Sequence, residues 1–339
     1  MRRAGNLIER IADADNLRLA FWKASRGKRT RAAVRRFGAN LDAELRHLRD
    51  DLLAGAVRWG PYHTFYIHDP KERLICAAPF RDRVAHHTII NVAEPVFESY
   101  QIHDSYACRK GKGLDAAIRR AIHFSCAGHW YLKLDVRRYF DSVDHRVLNS
   151  LLRRRFKDRT VLELFAGIVD SHHSTPGYGL PLGNLTSQFF ANHYLRFLDH
   201  FVKDVLRCRR YVRYMDDLVF WGKSRVALRR IGTEAGRFLK RELSLELKPV
   251  CLNQCSRGMT FLGYRVFPGR VRLARRSRDR FRRKLRQCHA NLESGFWDEA
   301  ETARHVQSLV AFVRRAESVE YRRRVLADMG LCPKEARTA

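Results

Sequence analysis

The chain of 339 residues is 45% hydrophobic, which is enough to bury a substantial core, so a folded protein of one to three domains or subdomains is expected. Its 66 Lys and Arg residues outnumber its 36 Asp and Glu residues, which gives a formal charge of +30 and an isoelectric point near 10.5. Because this charge opposes compaction by self-repulsion, it favours a polyanionic partner, with nucleic acid the first candidate and an anionic membrane surface the second.

Other readings of the composition are weaker. A simple compositional preference for Arg would also give a basic chain. A membrane-spanning segment is not predicted, because no apolar run approaches the roughly 20 residues that span a bilayer. The basic N-terminus lacks the apolar core of a signal peptide, so a cytoplasmic protein with reduced cysteines is expected. A zinc site at Cys251, Cys255, Cys288 and His289 is a minor alternative, since their spacing matches no common zinc pattern.

In chain order, the first half predicts helices around one hairpin. Residues 1–60 carry apolar residues at helical spacing on both sides of a basic stretch, residues 25–36, that suits phosphate contacts. Two short apolar runs flank an Asp-Pro turn signal and predict a hairpin with a basic tip over residues 62–77. Helices are predicted for residues 82–97 and 115–127.

The second half alternates strands and helices. Residues 131–136 predict a buried strand, and the Gly- and Pro-rich residues 172–184 predict a loop that leads into a strongly amphipathic helix. Residues 211–221 predict two short strands that flank Met-Asp-Asp. The elements predicted after them are a helix over 223–243, strand pieces in 261–267 and 271–274, and a basic helical region from Arg275 onward.

Asp216 and Asp217 are adjacent carboxylates between two apolar strand segments. Asp is common in hairpin turns, but like charges this close disfavour each other's ionisation unless a cation neutralises them. Asp135 ends another apolar strand, and if that strand lies beside the hairpin the carboxylates converge. Such oxygen ligands suit two divalent cations about 4 Å apart, which catalyse phosphoryl transfer chiefly by positioning and charge stabilisation.

Four segments occur in the order of successive reverse transcriptase motifs: LKLDVRRYFDSVDH (132–145), GLPLGNLTSQFFANHYL (179–195), YVRYMDDLVF (211–220) and FLGY (261–264). Two upstream segments, KERLICAAPFRDRVAHH (71–87) and DSYACRKGKG (104–113), resemble the fingers motifs of that family. The resemblance covers roughly residues 60–270.

The resemblance implies an α+β right-hand polymerase fold with fingers, a palm of antiparallel strands backed by helices, and a helical thumb. The implied boundaries are a basic helical extension over 1–60, fingers over 61–130 with 145–180 as a fingers or palm insertion, a palm over 131–265 and a thumb over 266–339. The basic helix of the thumb would grip duplex phosphates.

Within this family the sequence looks most like the enzymes of diversity-generating retroelements. Ser187-Gln188 ends the second motif where most bacterial members have Ser-Pro, and Leu182 replaces the Gln of retroviral-like members. Members of this type copy a template RNA into mutated cDNA with a small basic accessory protein, the accessory variability determinant; the oligomeric state stays open. Because Leu cannot make the polar contact of Gln, errors opposite template adenine are expected.

The alternatives are a retron-like, group II intron-like or phage-defence reverse transcriptase, and a degenerate polymerase fold that only binds RNA. The three acids argue against the last, because a pure RNA-binding module has no need of clustered carboxylates.

By position, the resemblance assigns three sets of residues. The catalytic acids Asp135, Asp216 and Asp217, with the Val136 carbonyl, would hold two Mg²⁺ ions, with Mn²⁺ as a substitute. The residues implied for binding the incoming deoxynucleotide are Arg73, Arg81, Phe140 (the steric gate), Leu182, Gly183 and Gln188. Those implied for template or primer are Lys71, Arg109, Lys110, Phe261, Leu262, Gly263 and Tyr264. A core role for Phe140 and a solvated one for each cation are the alternatives.

Overall fold

The computed structural model describes residues 3–68 and 72–331, so Lys71 lies outside the described residues. The first helices are α1 (Ile8–Ile11), α2 (Ala14–Ser25), α3 (Ala32–Ala39) and α4 (Leu41–Leu53). Their apolar positions are buried, as helical periodicity requires, at Leu17, Leu45, Leu48 and Leu52. A hairpin of β1 (His63–Ile67) and β2 (Arg73–Ala77) follows, which confirms both predictions for this part of the chain.

The helices of the middle of the chain are α5 (Phe80–Glu98), α6 (Gly113–Ala127), α7 (His145–Arg153), α8 (Arg159–Asp170) and α9 (Leu185–His200). Phe97 of α5 packs against Phe156, Phe165 and Phe190, with ring centroids 5.2–6.2 Å apart. This aromatic core fixes α9 against α5, and the predicted loop lies between α8 and α9.

The central sheet contains β3 (Trp130–Asp135), β4 (Tyr211–Tyr214), β5 (Asp217–Gly222) and β6 (Cys251–Gln254). Its strands are antiparallel and stand in the order β4-β5-β3-β6. The register places Asp135 opposite Asp217. Sequence periodicity predicted β3, β4 and β5 but not the edge strand β6.

The two faces of this sheet bury different side chains, because successive residues of a strand point to opposite faces. Leu132, Leu134, Leu218 and Phe220 belong to the core that includes α9 and α10 (Arg225–Leu243). The alternate residues Tyr131, Val219 and Trp221 pack with Phe124 of α6 and with the C-terminal elements. Asp135 and Asp217 share this second face.

The C-terminal part forms a second small sheet and three helices. Its elements are β7 (Met259–Phe261), β8 (Tyr264–Phe267), β9 (Arg270–Leu273), α11 (Arg275–Glu293), α12 (Glu299–Val313) and α13 (Val319–Ala327). One face of α11 buries Phe281, Leu285 and Cys288, while half of its other positions are Arg or Lys. Helices combined with antiparallel sheets confirm the predicted α+β class, whereas the domain boundaries stay predictions. None of the described helices is long and apolar enough to cross a bilayer.

Candidate active site

The turn between β4 and β5 carries the paired acids. Met215 has a positive φ of 54°, a backbone conformation that costs energy for a residue with a side chain and is concentrated at functional sites. Asp216 is the other turn residue, and Asp217 begins β5 directly opposite Asp135 at the end of β3. The structure therefore brings the ends of β3 and β5 together, and the convergence of the three carboxylates on one metal site stays a prediction.

Two lysines that the sequence reasoning missed hold two of these acids. Lys248 Nζ lies 2.7 Å from Asp135 Oδ1, and the Lys248 backbone N–H donates to the Asp135 carbonyl at 2.8 Å. Lys133 Nζ lies 2.7 Å from Asp217 Oδ1. A period-two count from Asp135 would have placed Lys133 on the same face of β3. Lys248 is 113 positions from Asp135 and gave no local signal.

Asp216 has a different electrostatic environment. Burial raises the pKa of its carboxyl to about 6, a backbone hydrogen bond opposes that rise, and the nearby Asp217 and Asp135 add to it. The protonated carboxyl is therefore more stable relative to the ionised form than in a free Asp, and a cation at the site would oppose that shift.

The donor chemistry of the site suits a hard divalent cation, because the three acids offer carboxylate oxygens. Within residues 3–68 and 72–331, however, no group of three or more His, Cys, Asp or Glu side chains is gathered as a metal site. Asp135 and Asp217 each give one carboxylate oxygen to a lysine ammonium group. Val136, the predicted backbone ligand, is buried and bridges Leu247.

A buried network supports the turn between β4 and β5. Arg213 of β4 pairs with Asp199 of α9 at 2.7 Å, and both side chains have no exposed surface. Arg213 Nη1 also donates to Asn192 Oδ1 at 2.9 Å and to the Met215 carbonyl at 3.4 Å. Tyr211 donates its hydroxyl to Asp199 at 2.7 Å. Although burial alone lowers the pKa of Arg213, the facing carboxylate of Asp199 raises it above its usual value. The sequence reasoning missed this network too.

A cavity of about 740 Å³ begins two residues after Asp135, at Arg137, and the three acids are not among its lining residues. Leu74 and Cys76 of β2 lie on one side of it with Leu182, and Arg137 and Arg138 line it after β3. The Cys76 N–H donates to the Leu182 carbonyl at 2.7 Å, which ties the hairpin to the loop before α9. A cavity with an apolar wall and adjacent cations can accept a nucleotide.

The other residues predicted to bind the nucleotide differ in their exposure and in their contacts. Arg73 begins β2 and is exposed, whereas Arg81 pairs with Asp51 at 2.6 Å. Phe140 is half-buried, and its carbonyl accepts from the Leu180 N–H at 2.7 Å. Gln188 is half-buried in the first turn of α9. These nucleotide roles stay predictions.

Gly183 shows why this position has no side chain. Its φ is +115°, and a Cβ there would lie 3.0 Å from Ile75 Cγ2 and 3.2 Å from the Cys76 carbonyl oxygen. The close approach seen here is thus to β2, whereas the sequence interpretation placed it at the nucleotide.

The two cations predicted to contact the template differ in availability. All three guanidinium nitrogens of Arg109 donate within the protein, to Glu98 and to the carbonyls of Ile102 and Ser105, and its side chain is only 8% exposed. A template contact by Arg109 would therefore require the pair with Glu98 to open. Lys110, 85% exposed and 3.2 Å from Glu94, is the more accessible of the two.

The FLGY segment forms the two-residue turn between β7 and β8. Leu262 and Gly263 both have positive φ, as tight hairpin turns require, and Phe261 and Tyr264 are fully buried. Ser277 donates its hydroxyl to the Gly263 carbonyl at 2.6 Å, and Tyr264 donates to the Phe312 carbonyl at 2.7 Å. The turn is therefore held in place by α11 and α12.

Comparison with known proteins agrees with this geometry. The family model described as reverse transcriptase (RNA-dependent DNA polymerase) matches residues 68–266, more than half of the chain, and the match includes Asp135, Asp216 and Asp217.

Individual relatives are distant. The chain is 29% identical over 201 residues to Protein YkfC of Escherichia coli, which is 55% of this chain and 51% of that protein. It is 24% identical over 171 residues to the group II intron-encoded protein LtrA of Lactococcus lactis, which is 48% of this chain and 28% of LtrA. Nuclear intron maturase 1 of Arabidopsis thaliana is 30% identical over 129 residues, 32% of this chain and 18% of the maturase. The chain thus spans about half the length of YkfC and less of the others.

Proposed function

Because the chain belongs to the reverse transcriptase family, we propose that it is an RNA-directed DNA polymerase that makes cDNA on a template RNA from deoxynucleoside triphosphates. The observation that carries the proposal is the placement of Asp135, Asp216 and Asp217 at the adjacent ends of β3 and β5, with Arg137 and Arg138 of a cavity two and three residues beyond Asp135. In this proposal the fingers are residues 61–130, the palm 131–265 and the thumb 266–339.

The roles of the residues follow from their surroundings. Asp135 and Asp216 would be the direct ligands of two Mg²⁺ ions, with Asp217 beside them and Mn²⁺ as a substitute. When bound, the ions would activate the primer 3′-hydroxyl and stabilise the leaving pyrophosphate. Lys248 neutralises Asp135 until then, and Lys133 pairs with Asp217 beside them. The chain otherwise contributes position and a preorganised charge distribution.

The nucleotide would be bound between the hairpin and the floor of the cavity. Leu182 and Leu74 offer apolar surface to its base and sugar, and Arg137 and Arg138 lie within reach of phosphates. The half-buried ring of Phe140 would exclude a ribose 2′-hydroxyl. The tied turn of residues 261–264 would support the primer end.

Leu182 with Ser187-Gln188 supports the finer proposal, an error-prone enzyme of a diversity-generating retroelement. Its partners would be a template RNA, the cDNA and a small basic accessory protein. A polar contact missing at Leu182 would weaken discrimination opposite template adenine.

The names of the relatives favour a second candidate, an enzyme of the group II intron type. LtrA is named as a group II intron-encoded protein, and the Arabidopsis relative as an intron maturase. The error spectrum separates the candidates, since only the retroelement proposal requires errors concentrated opposite adenine.

The test is primer extension on a primed RNA template with Mg²⁺ and all four deoxynucleotides. Asp216→Ala should lower the rate at least about a thousandfold, the size expected from losing several kcal/mol of charge stabilisation. Asp204→Ala, an exposed acid whose side chain is 67% accessible, is the matched control and should extend like the parent. Equal extension by Asp216→Ala and the parent would refute the proposal, and so would failure of the parent with its own RNA and accessory protein supplied.

A further inference from the structure

Lys133 lies between the central sheet and the C-terminal sheet, near Asp135 and Asp217. It lies on β3 two residues before Asp135, so its side chain is on the same face as the acids. Val219 is its direct partner on β5, and Asp217 is the diagonal neighbour two residues away, within reach of a long side chain.

The ammonium group of Lys133 has contacts on both sides. It lies 2.7 Å from Asp217 Oδ1 in the central sheet. It also lies 3.5 Å from the Thr260 carbonyl and 6.0 Å from the centre of the Phe261 ring, both in β7 of the C-terminal sheet. The Lys133 and Asp217 side chains are 23% and 25% exposed, so the contact is partly shielded from water.

The opposite side of the β7–β8 turn is already fixed. Ser277 of α11 donates its hydroxyl to the Gly263 carbonyl, and Tyr264 donates its hydroxyl to the Phe312 carbonyl of α12. These hydrogen bonds fix the turn to the C-terminal helices. On the side of the acids, Lys133 contacts the Thr260 carbonyl of β7 and the Asp217 carboxylate. Lys248 is not equivalent, because its contacts described here are both with Asp135.

We propose that Lys133 is a positioning residue that holds the Asp217 carboxylate and the Phe261–Tyr264 turn in register, so that the primer end is placed against the reacting acids. The inference rests on the proposed function, since it assigns the turn to the primer. A single ammonium suits this task, because it pairs with a carboxylate and faces a carbonyl and the face of an aromatic ring from one point.

The test compares Lys133→Met and Lys133→Arg with Lys223→Met, an exposed lysine beyond the other end of β5. The first readout needs no metal and no turnover: a primer with 2-aminopurine at its 3′ end, bound to template RNA and protein in EDTA. Lys133→Met should raise the fluorescence of the base, because the primer end is less firmly held. Lys133→Arg should recover part of the parental signal, and Lys223→Met should equal the parent.

The second readout is single-turnover extension. Lys133→Met should lower the maximal rate about ten- to hundredfold, as expected for a misplaced reacting group, while the apparent KM for the deoxynucleotide stays unchanged. A rise in KM alone, or parental fluorescence in Lys133→Met, would overturn the proposal. If the parent itself extends no primer, the proposed function fails, whereas the metal-free fluorescence still decides the role of Lys133.

Discussion

Two sets of ion pairs lie within a few residues of each other on β4, β5 and β3, and they differ in how they are built. Arg213 and Asp199 are fully buried, and Asn192, Tyr211 and the Met215 carbonyl complete their hydrogen bonds. The pairs of Lys133 with Asp217 and Lys248 with Asp135 are partly exposed. Burial with full satisfaction makes a permanent support, whereas partial exposure lets a carboxylate change partners.

The largest expected effect is a loss of stability when the buried pair of Arg213 and Asp199 is broken. Arg213→Met should lower the free energy of unfolding by about 3–5 kcal/mol, because it leaves the Asp199 carboxylate buried without its partner. Urea unfolding followed by circular dichroism measures it. The control is Arg237→Met on the exposed pair with Glu234, where a loss of at most about 0.5 kcal/mol is expected. If adding Asp199→Leu to Arg213→Met does not reduce the loss, the buried charge is not its cause.

The pH dependence of the metal-free protein should show the next largest effect. Because the pKa of Asp216 is raised to about 6 in the folded protein, the folded state retains a proton that the unfolded chain loses from about pH 4. The contribution of Asp216 to stability is therefore present below pH 4 and lost as pH rises to about 6, by roughly 1–3 kcal/mol.

Asp216→Asn cannot ionise, so its stability relative to the parent should increase between pH 4 and pH 6. Chemical unfolding in EDTA at a series of pH values measures the difference. A difference that is constant across this range would contradict the raised pKa of Asp216.

A smaller effect is expected at Leu182, whose half-buried side chain lines the cavity. Leu182→Gln should leave stability unchanged and lower misincorporation opposite template adenine about fivefold, the value of one hydrogen bond of about 1 kcal/mol. Sequencing of cDNA products measures it, with Leu182→Met as the control of similar size. Ordinary fidelity opposite adenine in the parent, unchanged by Leu182→Gln, would remove the basis for the retroelement proposal.

The smallest loss of stability is expected when the partly exposed pair of Lys248 and Asp135 is broken. Lys248→Met should destabilise the metal-free protein by less than about 1 kcal/mol, because the Lys248 and Asp135 side chains are 41% and 34% exposed. The same unfolding assay in EDTA measures it, with Lys240→Met on the exposed side of α10 as the reference. A loss equal to that of Arg213→Met would show that the two kinds of pair do not differ as proposed.

The sequence by itself determined the local elements and the identity of the acids. Helical spacing in residues 1–60, the hairpin signals around residue 70 and the apolar runs beside Asp135 and Met-Asp-Asp are short-range patterns, and the structure has helices and strands there. The family followed from ordered motifs in the same way.

Only the tertiary structure decided which groups surround those acids. Lys248 meets Asp135 across 113 positions, β6 joins β3 across more than a hundred, and Arg213 finds Asp199 through the packing of α9 on the sheet. The tertiary structure also pairs Arg109 with Glu98, a contact that the positions of the basic residues in the sequence do not predict. Periodicity reports which face a residue occupies; what lies opposite that face depends on how distant segments pack.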